Sequence, residues 1–374
     1  MSFALVIKPH DVLFFRNGRP FSAGSDTRAQ SLFPPTPFTI QGALRARVFF
    51  SSGVSPSDYV RGSTPHARRL QQLIGPPAGN YGKLRLRGPF PARRENDRWV
   101  CYFPVPADVV RAGEAYRLLR PLQVPLRSNL PGSFSTPWLR TVEHVETVQG
   151  WLSEEELRNY MAGQPPVNVL PESEFVVRES RFGISLVPER RAPRESYMYL
   201  AEFLRMREDV AFWVEVDEIT HADLGGQTGF LRLGGEARAA YYRTESLRLG
   251  PLLSPPDPLP RRFKVALLTP AWFGGGWQPQ DGDWKQFITG TVRLVSAIVP
   301  RYRTIGGVYV VDLPQQGDSR RTLRRFVPAG SVYFFEHDGI ASWRGRPFTE
   351  TPPGEGDFGQ IGFGTCVIGL WDYT

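Results

Sequence analysis

Phe263-Lys-Val-Ala-Leu-Leu-Thr-Pro270 repeats, late in the chain, a pattern already present at Phe3-Ala-Leu-Val-Ile-Lys-Pro9: an apolar run of strand length that ends near a proline. Each copy has a matching end. Residues 225–242 (GGQTGFLRLGGEARAAYY) and 354–371 (GEGDFGQIGFGTCVIGLW) both place a glycine-rich turn directly before a strand-like run. Between the copies lies Gly250-Pro-Leu-Leu-Ser-Pro-Pro-Asp-Pro-Leu-Pro260, proline-dense enough to serve as a connection. The expectation is an α+β protein made of two copies of one small unit, with long insertions between the elements of the first. The expected boundaries are 1–250, a linker at 251–262, and 263–374. The whole chain of 374 residues fits two domains at the usual 100 to 200 residues each.

Further apolar runs predict strands at Val12–Phe15, Trp99–Phe103, Val210–Val216, Val308–Val311, Val332–Phe335 and Cys366–Trp371. Helical signals are fewer. Thr36-Pro37 can cap and open a helix, in which Ile40, Leu44 and Val48 share a face and leave Gln41 and Arg45 on another. Ser153 followed by Glu154, Glu155 and Glu156 is a second start, and Trp284–Ile298 is a third candidate.

The formal net charge is +8, and all but four of the 45 basic residues are arginine. A genome-wide or thermal bias would produce that skew without functional meaning; a need for planar guanidinium groups that fork onto phosphate and stack on bases would also produce it. Position favours the second reading, because residues 1–100 hold 15 basic against 5 acidic residues and thus carry the whole excess. A one-sided basic field suits a polyanion, most often nucleic acid.

Several other classes recede. Two cysteines build neither a disulfide framework nor a cysteine zinc site, and no apolar window reaches the length of a membrane span. The first residues lack a basic segment followed by an apolar stretch and cleavage site, so a cytoplasmic location is expected. His10, His66, His144, His221 and His337 are scattered, and no metal or cofactor is expected. Gly354-x-Gly356-x-x-Gly359 satisfies the dinucleotide spacing but lacks the strand before and the helix after it. Either a hairpin loop or a loop presenting its backbone to a ligand fits it. His10-Asp11 is an acid/base pair without a nucleophile and reads first as a satisfied pair at a strand end.

Residues 11–48 (DVLFFRNGRPFSAGSDTRAQSLFPPTPFTIQGALRARV) carry the most specific signal: an arginine-shouldered turn, a small polar loop at Ala23–Asp26, and Phe33-Pro-Pro-Thr-Pro37 leading into the helix. The runs DVLFFRNGRPF and FPPTPFTIQGALR resemble the third subunit of the type III-B CRISPR effector (the Cmr complex), a RAMP protein. ESRFGISL at 179–186, LRLGGEARAA at 231–240, LLTPAWFGGGW at 267–277, RRFVPAGSVYFF at 324–335 and GFGTCVIGLW at 362–371 agree in order and spacing. The family commonly has Gly-Trp-Asp where this chain has Gly306-Gly307-Val308-Tyr309.

The resemblance implies two tandem ferredoxin-like, RNA-recognition-motif-like RAMP domains with glycine-rich loops. It also implies a non-catalytic subunit that grips the repeat-derived 5′ tag of the crRNA and docks the large polymerase-like, Palm-domain subunit and the adjacent backbone RAMP subunit. Carried onto this sequence, RNA contact is expected at Arg16, Asn17, Arg19, Ser25, Arg45, Arg181, Arg238, Arg303, Gly306 and Gly307. Gly234 and Gly235 in the first closing loop, and Gly359, Gly362 and Gly364 in the second, are expected to offer backbone N–H groups. The aromatic residues of a true RNA-recognition sheet are not identifiable, which favours loops and helix ends over a sheet face. Two alternatives remain: an endoribonuclease of related fold that cuts repeat RNA, with His10 as its base, and a scaffold whose basic N-terminal region meets an acidic protein.

Overall fold

The computed structural model describes residues 2–17, 28–77, 79–123, 134–187, 192–308 and 320–374. It divides into two compact units, each assembled from separated parts of the chain. The first comprises Met1–Arg94, Ser173–Ser246 and Thr304–Arg324; the second comprises Glu95–Glu172, Leu247–Arg303 and Arg325–Thr374. Both mix helix with antiparallel sheet.

In the first unit the strands Arg85–Glu95, Val210–Asp217, Phe3–Pro9, Ala239–Glu245 and Thr228–Arg232 are neighbours in that order. Phe3 to Ile7 are all buried, which explains why that run is apolar without alternation. Helix Pro37–Ser51 follows the first strand and buries Ile40, Leu44 and Val48. Thr36 occupies its N-cap, but the Thr36 side chain caps no backbone N–H. Pro37 still suits the first turn, where its missing N–H is no loss. The second sheet of this unit is built on a long hairpin, Val176–Val187 with Ala192–Met206, whose register sets Glu179 opposite Phe203 and Arg181 opposite Ala201.

In the second unit the order is Arg293–Ile298, Val332–Glu336, Arg262–Leu267, Cys366–Leu370, all antiparallel. Both sheets thus share one arrangement: the first strand in sequence lies between the third and the last, and the second lies outside the third. One face of the second sheet supplies Phe263, Val265, Tyr333 and Phe335 to an aromatic core with Phe273, Trp284, Phe287 and Phe348. Helix Glu154–Met161 contacts the Cys366–Leu370 strand. Lys264 belongs to that other face and is 1% exposed. Its ammonium donates to Asp108 Oδ2 at 2.7 Å, the Tyr160 hydroxyl donates to Asp108 Oδ1 at 2.8 Å, and Lys264 Nζ lies 3.7 Å from the centre of the Tyr160 ring. Gly369 makes room for this, since a Cβ there would meet Lys264 Cε and Met161 Cα at 3.2 Å.

These observations correct two expectations. The units are not the contiguous spans 1–250 and 263–374, because residues 95–172 pack with the later sheet through Asp108, Tyr160 and helix Glu154–Met161. The span Trp284–Ile298 is no helix: after a short turn at Trp284–Gln286 it forms strands Ile288–Thr289 and Arg293–Ile298, parted by Gly290 at φ +81°. The Ser153 start holds, with its hydroxyl accepting from the Glu156 N–H at 3.2 Å. The closing runs also hold, for Ala239–Glu245 and Cys366–Leu370 each pair with the first strand of their own unit.

Candidate nucleic-acid interface

Arg181 and Arg238, 57 residues apart in sequence, converge in the first unit on one ring. The Arg181 guanidinium lies 4.8 Å and that of Arg238 5.4 Å from the centre of Phe203. Strand register explains Arg181: Phe203 faces Glu179 across the hairpin, so Arg181 is its diagonal neighbour on the same side. Phe203 itself is anchored in a small cluster with Val12, Ala201 and Phe14. The segment from Asp11 runs along the hairpin edge, where Leu13 bridges Leu204.

Arg205, which the sequence reading did not single out, joins the group on the same face. Two residues beyond Phe203 in an alternating strand, it pairs with Glu179 and lies 3.4 Å from Asp11 Oδ1. Arg238 reaches Asp11 at 3.5 Å and Glu236 at 2.6 Å, and Arg181 reaches Glu179 at 3.1 Å. A backbone N–H from Val12 holds the Asp11 carboxyl below the usual range, with Arg205, Arg238 and Arg181 adding to the effect. Asp11 is therefore engaged by arginines, as a satisfied carboxylate at a strand end. Such exposed pairs are screened by water and salt and hold weakly, so their arginines can exchange a carboxylate for a phosphate.

The first closing loop touches the same segment. Gly235 N–H donates to Phe14 O at 2.8 Å, and Gly234, at φ +77°, could carry no Cβ because one would lie 2.6 Å from that oxygen. Both glycines are exposed. Arg16 is exposed and bridges Ser31, while Asn17 N–H donates to Gln30 O at 3.1 Å. Arg303 is exposed at the start of strand Arg303–Val308; Gly306 and Gly307 lie within that strand rather than in a turn. Arg19 and Ser25 fall outside the described residues.

Other expected contacts are framework. Arg45 is 3% exposed, and its guanidinium donates to the Tyr59 hydroxyl at 2.8 Å, to Gly75 O at 3.3 Å and to Pro76 O. It ties helix Pro37–Ser51 to the chain that follows and offers nothing to a ligand. Gly359, Gly362 and Gly364 are buried, and their N–H groups are spent internally on Asp357 Oδ1 (2.9 Å), Gly359 O (3.2 Å) and Pro270 O (2.8 Å). The second closing loop is thus not an open donor nest.

Among the described residues no helix is long and apolar enough to cross a membrane. No curated protein matches the chain. Solved structures similar to it include a chain of the type III-B Cmr-beta complex bound to cognate target RNA and AMPPnP (16% identity, 88% of this chain and 86% of that one, TM-score 0.49). A chain of the Csm3–Csm4 subcomplex of the type III-A CRISPR–Cas interference complex is also similar (11% identity, 91% and 94% covered, TM-score 0.41). The model of the CRISPR-associated protein family Cas_Cmr3 matches residues 5–371, almost the whole length, so the chain belongs to that family.

Proposed function

We propose that this chain is a non-catalytic, RNA-binding subunit of the type III-B effector that grips the repeat-derived 5′ tag of the crRNA, and that it docks the large polymerase-like subunit and the adjacent backbone RAMP subunit. The observation that carries the RNA contact is the convergence of Arg181, Arg205 and Arg238 around Phe203, beside the exposed Gly234–Gly235 loop. Guanidinium groups held on an aromatic platform present flat cationic faces to bases and forked donors to phosphates. In the same reading the two units are tandem ferredoxin-like domains. Their common strand order supports this, and in the second unit 3-10 turns stand on the crossover where the first has helix Pro37–Ser51.

The test is the pair Arg181→Ala with Arg238→Ala, measured by anisotropy of labelled RNA carrying the repeat-derived tag over a salt series. Loss of two phosphate contacts should weaken binding and flatten the log–log salt slope by about 1.4 for a single strand. An unchanged affinity and slope in a folded variant would sink the assignment.

A further inference from the structure

A cavity of about 760 Å3 lies in the second unit, lined by none of the residues proposed above to contact RNA. Phe134, Trp277 and Tyr302 line it, together with the buried Phe326 and the exposed Arg301 and Arg325. Trp277 and Tyr302 are 37% and 45% exposed, a large aromatic surface to leave open to water unless something covers it. The walls are held in place. Tyr333 donates its hydroxyl to Trp277 O at 2.6 Å, and the Phe134 ring meets the Trp277 ring edge to face at 6.0 Å. The N–H of Ser135 is bound to Val295 O at 2.8 Å, and the Arg325 guanidinium lies over the Tyr302 ring at 4.7 Å.

Chemistry narrows the occupant. Among the described lining residues there is no carboxylate, so neither arginine is neutralised from within the cavity. A purely apolar occupant would cover aromatic surface but leave the two guanidinium groups at its edge without a counter-charge. The volume exceeds that of any single protein side chain. A flat π-system joined to an anion satisfies both parts: stacking on tryptophan or tyrosine, and charge-assisted hydrogen bonds from guanidinium groups.

We infer that this cavity is a nucleotide pocket, taking one unstacked base against the Phe134, Trp277 and Tyr302 rings while its phosphate meets Arg301 and Arg325. A nucleotide within RNA and a free mononucleotide share this chemistry. The RNA form rests on the RNA-binding reading above; the mononucleotide form does not.

The experiment uses the full chain, with radiolabelled adenosine 5′-monophosphate in equilibrium dialysis and a labelled single-stranded RNA carrying the tag in anisotropy. Trp277→Ala and the double variant Arg301→Glu/Arg325→Glu are compared with wild type. The charge variant alters only exposed side chains and so tests the pocket even if Trp277→Ala folds poorly. Both should weaken whichever ligand binds, Trp277→Ala by roughly 5- to 150-fold as expected for loss of one stacked base. If RNA binds and responds to Arg181→Ala/Arg238→Ala, and neither ligand responds to the pocket variants, the pocket is overturned and the RNA reading stands. If the mononucleotide binds in a pocket-dependent way and RNA does not bind, the pocket stands and the RNA reading falls. If neither ligand binds, both fail.

Discussion

Gly234–Gly235 and Gly359–Gly364 precede corresponding strands, each paired with the first strand of its own unit, yet they are used in contrary ways. The first loop is exposed, lies against the backbone at Phe14, and borders the arginine cluster. The second is buried, its amides are spent internally, and Phe358 and Phe363 pack on Phe326 at 5.7 and 4.9 Å. A shared topology fixes where a loop sits; burial decides whether its surface remains open to a partner. The second unit uses its loop to complete a core and presents arginine elsewhere, on the rim of the aromatic cavity.

The contrast can be tested most severely at Lys264, where the second unit buries a charge inside its first strand. Lys264→Met should cost about 3–5 kcal/mol, because it strands the Asp108 carboxylate in the interior, and adding Asp108→Leu should recover most of the loss. Urea midpoints read both; a double variant as unstable as the single one would show that the pair is not the source of the loss. Gly364→Ala comes next, at about 1–3 kcal/mol, since its φ is +68° and a Cβ would lie 2.7 Å from the Phe348 carbonyl carbon and the Thr349 Cβ. RNA affinity of the folded variant should be unchanged, and an affinity loss at constant stability would mean that the second loop does reach a ligand.

The smallest effect belongs to the first unit. Hydrogen bonding from Arg205, then from Arg181, holds the Glu179 carboxyl below its ordinary value of 4.5. A lowered carboxylate stabilises the fold fully above the unfolded value and loses that contribution as pH falls through the folded one. Wild type should therefore be slightly more stable than Glu179→Gln at neutral pH, with the gap closing in acid. Exposure keeps the gap small. A gap that widens in acid would contradict the assignment.

The two opening strands were legible because each is buried on both faces, leaving the continuous apolar run FALVI and the run FKVALL, interrupted only by Lys264. The helix at Pro37 was legible through its Thr-Pro start, and the same signature at Ser55-Pro56 and Thr64-Pro65 opens helices Pro56–Arg61 and Pro65–Ile74. There the Ser55 and Thr64 hydroxyls accept from the N–H groups of Asp58 and Ala67 at 3.1 and 3.0 Å. Arg45 misled because an arginine one position beyond an apolar stripe reads as solvated; only the fold brings the Tyr59 hydroxyl and the Gly75 and Pro76 carbonyls around it. Val12–Phe15 has the composition of a strand but forms only a single bridge at Leu13. The meeting of Arg181 with Arg238 depends on a hairpin register and a loop contact that no local pattern encodes.

The buried ion pair also bears on how the chain is made. Asp108 and Lys264 are separated by 156 residues, and residues 95–172 emerge from the ribosome before the sheet they pack on exists. At roughly 5–20 residues per second, Asp108 waits on the order of ten seconds or more for its counter-ion. A gene split at the proline-rich connection near residue 255 would make that wait permanent within each half, placing the acid on one polypeptide and the lysine on the other.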